Sequence, residues 1–123
     1  MNYKLARELC RRGLDATSVK QLGLANKGTK DGALFKALAN LAPCVLVAWD
    51  SKMALSHRSE LDHFGITLAV VDRYANRGGL NDEQYYRDVI HRHAHRMGTQ
   101  LAGSLFKYNR TRRSDLRYAL HDG

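Results

Sequence analysis

Two apolar runs limit what this chain can become. Cys44 to Trp49 and Ile66 to Val71 are nearly continuous in hydrophobic residues, and each is followed at once by an aspartate, Asp50 and Asp72. A strand that alternates apolar and polar residues can face water on one side. A run without alternation has to be covered on both faces, as strands inside a parallel sheet are. Helical patterns surround these runs. From Tyr3 to Arg12, Leu5, Ala6, Leu9 and Cys10 share a face, and Gly13 stands where a left-handed C-cap belongs. Leu14 to Val19 reads as a short strand, and Lys20 to Lys30 as a polar, glycine-punctuated loop.

Asp31 to Leu41 predicts a helix with Leu34, Leu38 and Leu41 inward, and Ala54 to Phe64 another, closed by Gly65. The best-defined helix is capped by Asn81, with Gln84 three residues on giving a capping-box start. Tyr86, Ile90, His93 and Met97 fall on one of its faces, and Gly98 ends it. Beyond Gly98 the pattern gives a strand-like or loop segment and a short helix at Ser114 to Leu120. The alternation predicts an α/β fold, a small three-layer sandwich with a mostly parallel sheet, in a single domain over 1–123. At 44% hydrophobic with one proline, a chain of 123 residues can bury a core.

Membrane and secretory classes fit poorly. The longest apolar run, Leu41 to Trp49, falls well short of the roughly 20 residues a membrane helix needs. The opening residues lack the charged, apolar and small-residue order of a secretory leader, so the expected compartment is the cytoplasm. Cys10 and Cys44 have no metal-site spacing and read as small core residues or free thiols.

The charge is uneven. The formal net charge is +8, and residues 87–123 carry 8 basic and 3 acidic side chains. Arg87, Arg92, Arg96, Lys107, Arg110, Arg112, Arg113 and Arg117 make this end basic, the basic C-terminal segment being about 99–123, and Phe106, Tyr108 and Tyr118 lie between them. Such a surface can neutralise phosphates, and exposed aromatics can stack on unpaired bases. Arg92, His95, Arg96, Lys107, Arg110, Arg112 and Arg113 are the candidate RNA contacts.

The chemistry-bearing positions lie at strand ends, outside which ligands bind in open α/β sheets. Asp50 closes one buried run, Asp72 closes the other, and Asp31 opens the helix after the first strand. Three carboxylates on one rim beside a basic flank suit a hard cation, Mg²⁺ or Mn²⁺, which polarises phosphoryl oxygens and activates water. Each aspartate also makes an ordinary cap or turn residue. Gly23 to Lys30 comes near a phosphate-binding loop but ends Thr29-Lys30, which removes the lysine and the hydroxyl from their working positions. His91 and His95 share a helix face while His93 lies on the apolar one as a packed histidine, so the three do not form a metal tract. Ser56-His57 has no nucleophile-elbow context.

These stretches resemble a known family. Tyr3 to Leu9, Arg12-Gly13-Leu14-Asp15-Ala16, Gln21-Leu22-Gly23-Leu24 and Lys30-Asp31-Gly32-Ala33-Leu34 look like the PIN-like toxin nucleases, including toxins of VapC-type toxin–antitoxin pairs. Val45 to Met53, Gly65 to Asp72 and Val89 to Met97 continue the likeness, which reaches about Tyr108. The resemblance implies a Mg²⁺- or Mn²⁺-dependent endoribonuclease cutting single-stranded RNA, with a cognate antitoxin as partner. Asp31 and Asp50 match family metal-binding acids, and Asp72 is a looser match.

Two departures stand out. Lys52 occupies a position where many relatives carry a second acid. The family also opens with a central strand ending in aspartate before the helix that here starts at Tyr3, so the first central strand is expected to be missing. A remnant of three strands would need a partner strand, from an antitoxin or a second copy in a homo-oligomer. The alternative expectation is a degenerate or truncated PIN-like domain that binds RNA or an antitoxin without catalysis. A third is a self-associating fragment whose basic tail only aids solubility.

Overall fold

The structure, a computed structural model, describes residues 3–17, 31–41, 43–49 and 52–116, with the side chains of residues 3, 31–33, 52 and 53 excepted. It is α/β, with helices on both faces of a mostly parallel four-stranded sheet. In chain order the elements are α1 (Tyr3–Arg11), α2 (Asp31–Asn40), β1 (Val45–Ala48), α3 (Lys52–Ser56), α4 (Arg58–Phe64), β2 (Thr67–Val71), α5 (Asp82–Gly98), β3 (Leu105–Tyr108) and β4 (Arg113–Asp115). The strands lie in the order β1-β2-β3-β4, the first three parallel and the last antiparallel to β3.

The two apolar runs differ in burial because they differ in position. β2 is central and all five of its residues are buried. β1 is the outer strand of the described sheet, and only Leu46 of its four residues is fully buried. Strand alternation then sorts the side chains into two cores. Leu46, Leu68, Val70 and Leu105 pack with Phe35, Leu38, Ala54 and Leu61 of α2, α3 and α4. Ala69, Val71 and Tyr108 pack on the opposite face with Leu5 and Leu9 of α1 and Tyr85, Val89, Ile90 and Met97 of α5. Three layers result.

Several local expectations hold for reasons visible in the geometry. Gly13 and Gly65 take φ of 85° and 63°, the left-handed caps that end α1 and α4. Asn81 accepts from the Gln84 amide at 2.9 Å while the Gln84 side chain accepts from the Asn81 amide at 3.1 Å, a full capping box. His93 is buried, and its Nε2–H donates to the Asn109 carbonyl at 2.8 Å.

Other expectations change. Leu14 to Thr17 carry no strand, and the rest of that predicted strand lies outside the described residues. The helix expected over Ala54 to Phe64 breaks at His57 into α3 and α4. The stretch after Gly98 supplies β3 and β4, so Ser114 and Asp115 belong to a strand rather than a final helix. Residues 117–120 of that predicted helix, Tyr118 among them, lie outside the described residues. On α5 the fully buried tyrosine is Tyr85; Tyr86 is half-buried, edge-on to Trp49. Cys10 and Cys44 are exposed free thiols rather than core residues. No helix among the described residues is long and apolar enough to cross a membrane.

Candidate functional site

The parallel strands place their carboxyl ends on one rim, and the chain leaves that rim in two turns. After β2, Asp72 continues the ladder by donating its amide to the Tyr108 carbonyl at 2.8 Å. Tyr85, rooted in α5, donates its hydroxyl to the Asp72 carbonyl at 2.6 Å, which fixes the residue from behind. The Asp72 side chain then accepts the Tyr74 amide at 3.2 Å and shapes the turn.

After β3, Asn109 does the equivalent work. Its Oδ1 accepts the Thr111 and Arg112 amides, each at 2.9 Å, and its own amide donates to the Arg112 carbonyl at 2.9 Å. This tight link folds β4 back antiparallel on β3, pairing Lys107 with Ser114 and Tyr108 with Arg113. Between the two turns is an open cleft of about 330 Å³, lined by Asp72, Lys107, Tyr108, Asn109, Arg112, Arg113 and Ser114. Lys107 alternates with Phe106 and Tyr108 and so lies on the opposite face of the sheet from Arg113, which pairs with Tyr108. The cleft edge thus takes cations from both faces, with Asp72 as its one acidic residue. Among the described residues none of Lys107, Arg112 and Arg113 forms an ion pair. The Arg113 guanidinium is held over the Phe106 ring at 4.3 Å, which fixes its position without consuming its charge.

The other predicted cations are placed differently. Arg92 and Arg110 both donate to Asp88 Oδ2 at 3.0 Å, so one acid on α5 ties down two of them. Arg110 also lies against Gly78, where a Cβ would come within 2.2 Å of its Nη1. His95 and Arg96 are exposed near the end of α5. Arg87 and His91 face α1 instead. His91 Nε2–H donates to Glu8 at 2.8 Å while its Nδ1 accepts from Arg12 at 2.9 Å, and Arg87 pairs with the same glutamate. The His91 hydrogen bond, aided by Arg87, holds the Glu8 carboxyl below its ordinary range.

The aromatic residues separate in a similar way. Tyr108 is fully buried, with its hydroxyl donating to Gln100 Oε1 at 2.6 Å, and cannot stack on a ligand. Phe106 lies beneath Arg113. A second cluster, which the sequence reading passed over, forms around Trp49 at the end of β1. The guanidinium groups of Arg73 and Arg77 lie 5.4 and 5.7 Å from its ring, and Tyr85 and Tyr86 meet it edge-on. Burial pushes the Tyr86 phenol up to about 12, so it adds no negative charge beside these cations. The missed signal was the aromatic at Tyr74, two residues past a strand-ending aspartate that forms a turn with it.

Of the three predicted acids, Asp72 lines the cleft. Asp31 is the first residue of α2, and its side chain is not described; Asp50 lies outside the described residues. Among the described residues no three His, Cys, Asp or Glu side chains gather into a metal-holding group. Asp72 by itself is one hard-oxygen ligand and not a site. The described arrangement can take an anion with spaced negative charges along this edge, a phosphate ester backbone being the best match to cations spread over it. No family model, curated protein or solved structure matches this chain.

Proposed function

We propose that this chain is an RNA-directed domain of the PIN-like ribonuclease kind, holding a phosphodiester backbone in the cleft at the carboxyl edge of its sheet. The observation that carries the reading is that Lys107, Arg112 and Arg113 line one cleft with a single acid, Asp72. Cations with no carboxylate partner contribute most to phosphate neutralisation, since binding then breaks no existing ion pair.

Within this reading the activity is metal-dependent cleavage of single-stranded RNA. Asp31 and Asp50 would hold Mg²⁺ or Mn²⁺, with Asp72 as the third acid of the rim. Carboxylate oxygens suit those ions, which when bound supply a polarised phosphoryl oxygen and an activated water. Lys107, Arg112 and Arg113 orient the backbone and offset its charge. A cognate antitoxin is the protein partner and the cytoplasm the compartment. β1, half-buried and outermost among the described strands, supports a covering partner, either that antitoxin or a second copy.

A second reading, binding without catalysis, is favoured by one observation. Only Asp72 among the described acids reaches the cleft, and it is outnumbered by cations. Labelled single-stranded RNA incubated with Mn²⁺ or EDTA separates the two. Cleavage that needs Mn²⁺ and disappears in Asp50→Asn supports the nuclease. A retained mobility shift in EDTA, with no cutting under either condition, supports the binding module. Absence of both cutting and binding removes the RNA reading.

A further inference from the structure

We propose that Tyr74 is a stacking platform for one unpaired nucleobase, placed beside the phosphate cleft. The inference rests on the reading of that cleft as a phosphodiester site and adds a base subsite to it. Tyr74 is 81% exposed, although it is a large aromatic in a turn whose backbone is fixed. Its amide donates to Asp72 Oδ1 at 3.2 Å, and the Ala75 amide donates to the Asp72 carbonyl at 3.3 Å. The acid that lines the cleft therefore also sets the turn that carries the ring.

Support comes from the neighbouring residues as well. The Arg73 guanidinium lies 5.5 Å from the Tyr74 ring and 5.4 Å from Trp49, so it bridges an exposed and a half-buried aromatic. Arg77 donates to the Arg73 carbonyl at 2.7 Å and pairs with Asp82, tying the turn to the start of α5. A ring on a turn already ordered, with Arg73 against it, costs only its own side-chain freedom when a flat ligand settles on it. Nucleobases suit it: every base has a π-face, and the adjoining cleft takes the phosphate. A base inside a duplex has both faces occupied, so the subsite selects single strands over duplexes.

The test compares two strands of equal charge in EDTA, which prevents cleavage. One is a labelled oligouridylate of about ten nucleotides, and the other is an abasic strand of the same length. The full chain should bind the base-bearing strand about tenfold more tightly, the order of effect expected for one stacked base. Tyr74→Ala should lower that affinity to the abasic level and leave abasic binding unchanged, while Tyr74→Phe should keep the preference. An unchanged thermal melt would show that the variants are folded. Equal binding of both strands by the unaltered chain overturns the base subsite and leaves the cleft reading standing. A preference that survives Tyr74→Ala, or is lost in Tyr74→Phe, also overturns it. Failure of both strands to bind overturns the subsite and the cleft reading together.

Discussion

Arg92 and Arg110 invite comparison with Lys107, Arg112 and Arg113. All five come from one basic stretch and look alike in sequence, yet the fold gives them opposite circumstances. Asp88 holds the first pair at 3.0 Å each, whereas the second group borders a cleft with Asp72 and forms no ion pair among the described residues. The first arrangement secures the β3–β4 link against α5. The second leaves positive charge available for a ligand. Net charge along a chain is thus a poor guide to a binding surface until the pairing of each cation is known.

The largest expected effect is on the unpaired group. Changing Lys107, Arg112 and Arg113 together to alanine should weaken binding of single-stranded RNA by roughly tenfold or more at low salt, and flatten the salt dependence by about 2 log units per log unit, at about 0.7 per lost phosphate contact. A salt titration of binding measures both. An unchanged slope would mean that the cleft does not face phosphate.

The paired group should behave in the reverse way. Asp88→Ala removes the acceptor shared by Arg92 and Arg110, which should cost about 1–2 kcal/mol of stability for two partly exposed charged hydrogen bonds. RNA affinity should hold or rise, because two guanidinium groups are released. Chemical denaturation and the same binding assay would show it. A parallel fall in affinity would mean that the paired arginines contribute as they stand.

A smaller effect concerns His93, which holds the turn after β3 through the Asn109 carbonyl. Burial lowers its pKa below the ordinary 6.5, against the opposing effect of that hydrogen bond. The unfolded chain therefore takes up the proton first as pH falls, so stability should decline on acidification through pH 6.5 and level off below the folded-state value. His93→Gln should flatten the slope that denaturation midpoints show between neutral and mildly acidic pH. The Glu8 carboxyl, held low by His91 and Arg87, should add a further loss at more acidic pH, as it protonates and the link between α1 and α5 weakens. Glu8→Gln should remove that second decline.

Much of the frame could be read from the residues because local chemistry determined it. The apolar run at Ile66 to Val71 gave β2, Asn81 with Gln84 gave the start of α5, and Gly65 gave the end of α4. What escaped depends on contacts distant in sequence. Asp88 and Arg92 are four residues apart and could be paired on a helix face, but Arg110 reaches the same acid from 22 residues away. The four cleft side chains Asp72, Lys107, Arg112 and Arg113 were individually visible in the sequence. Their meeting along one cleft was not, because it depends on the antiparallel return of β4, a segment whose polar, arginine-rich composition reads as a helix or a loop. Tyr74 was missed for a similar reason: nothing about an isolated tyrosine says that its turn is fixed from two sides.

The most direct test is a map of backbone amide shifts as a single-stranded oligouridylate is added in EDTA. The account predicts that the changes concentrate at residues 72–75 and 107–114, saturate together, and weaken with added salt. Changes centred on α1 or on the face of α2 and α4, or no changes at low salt, would contradict it.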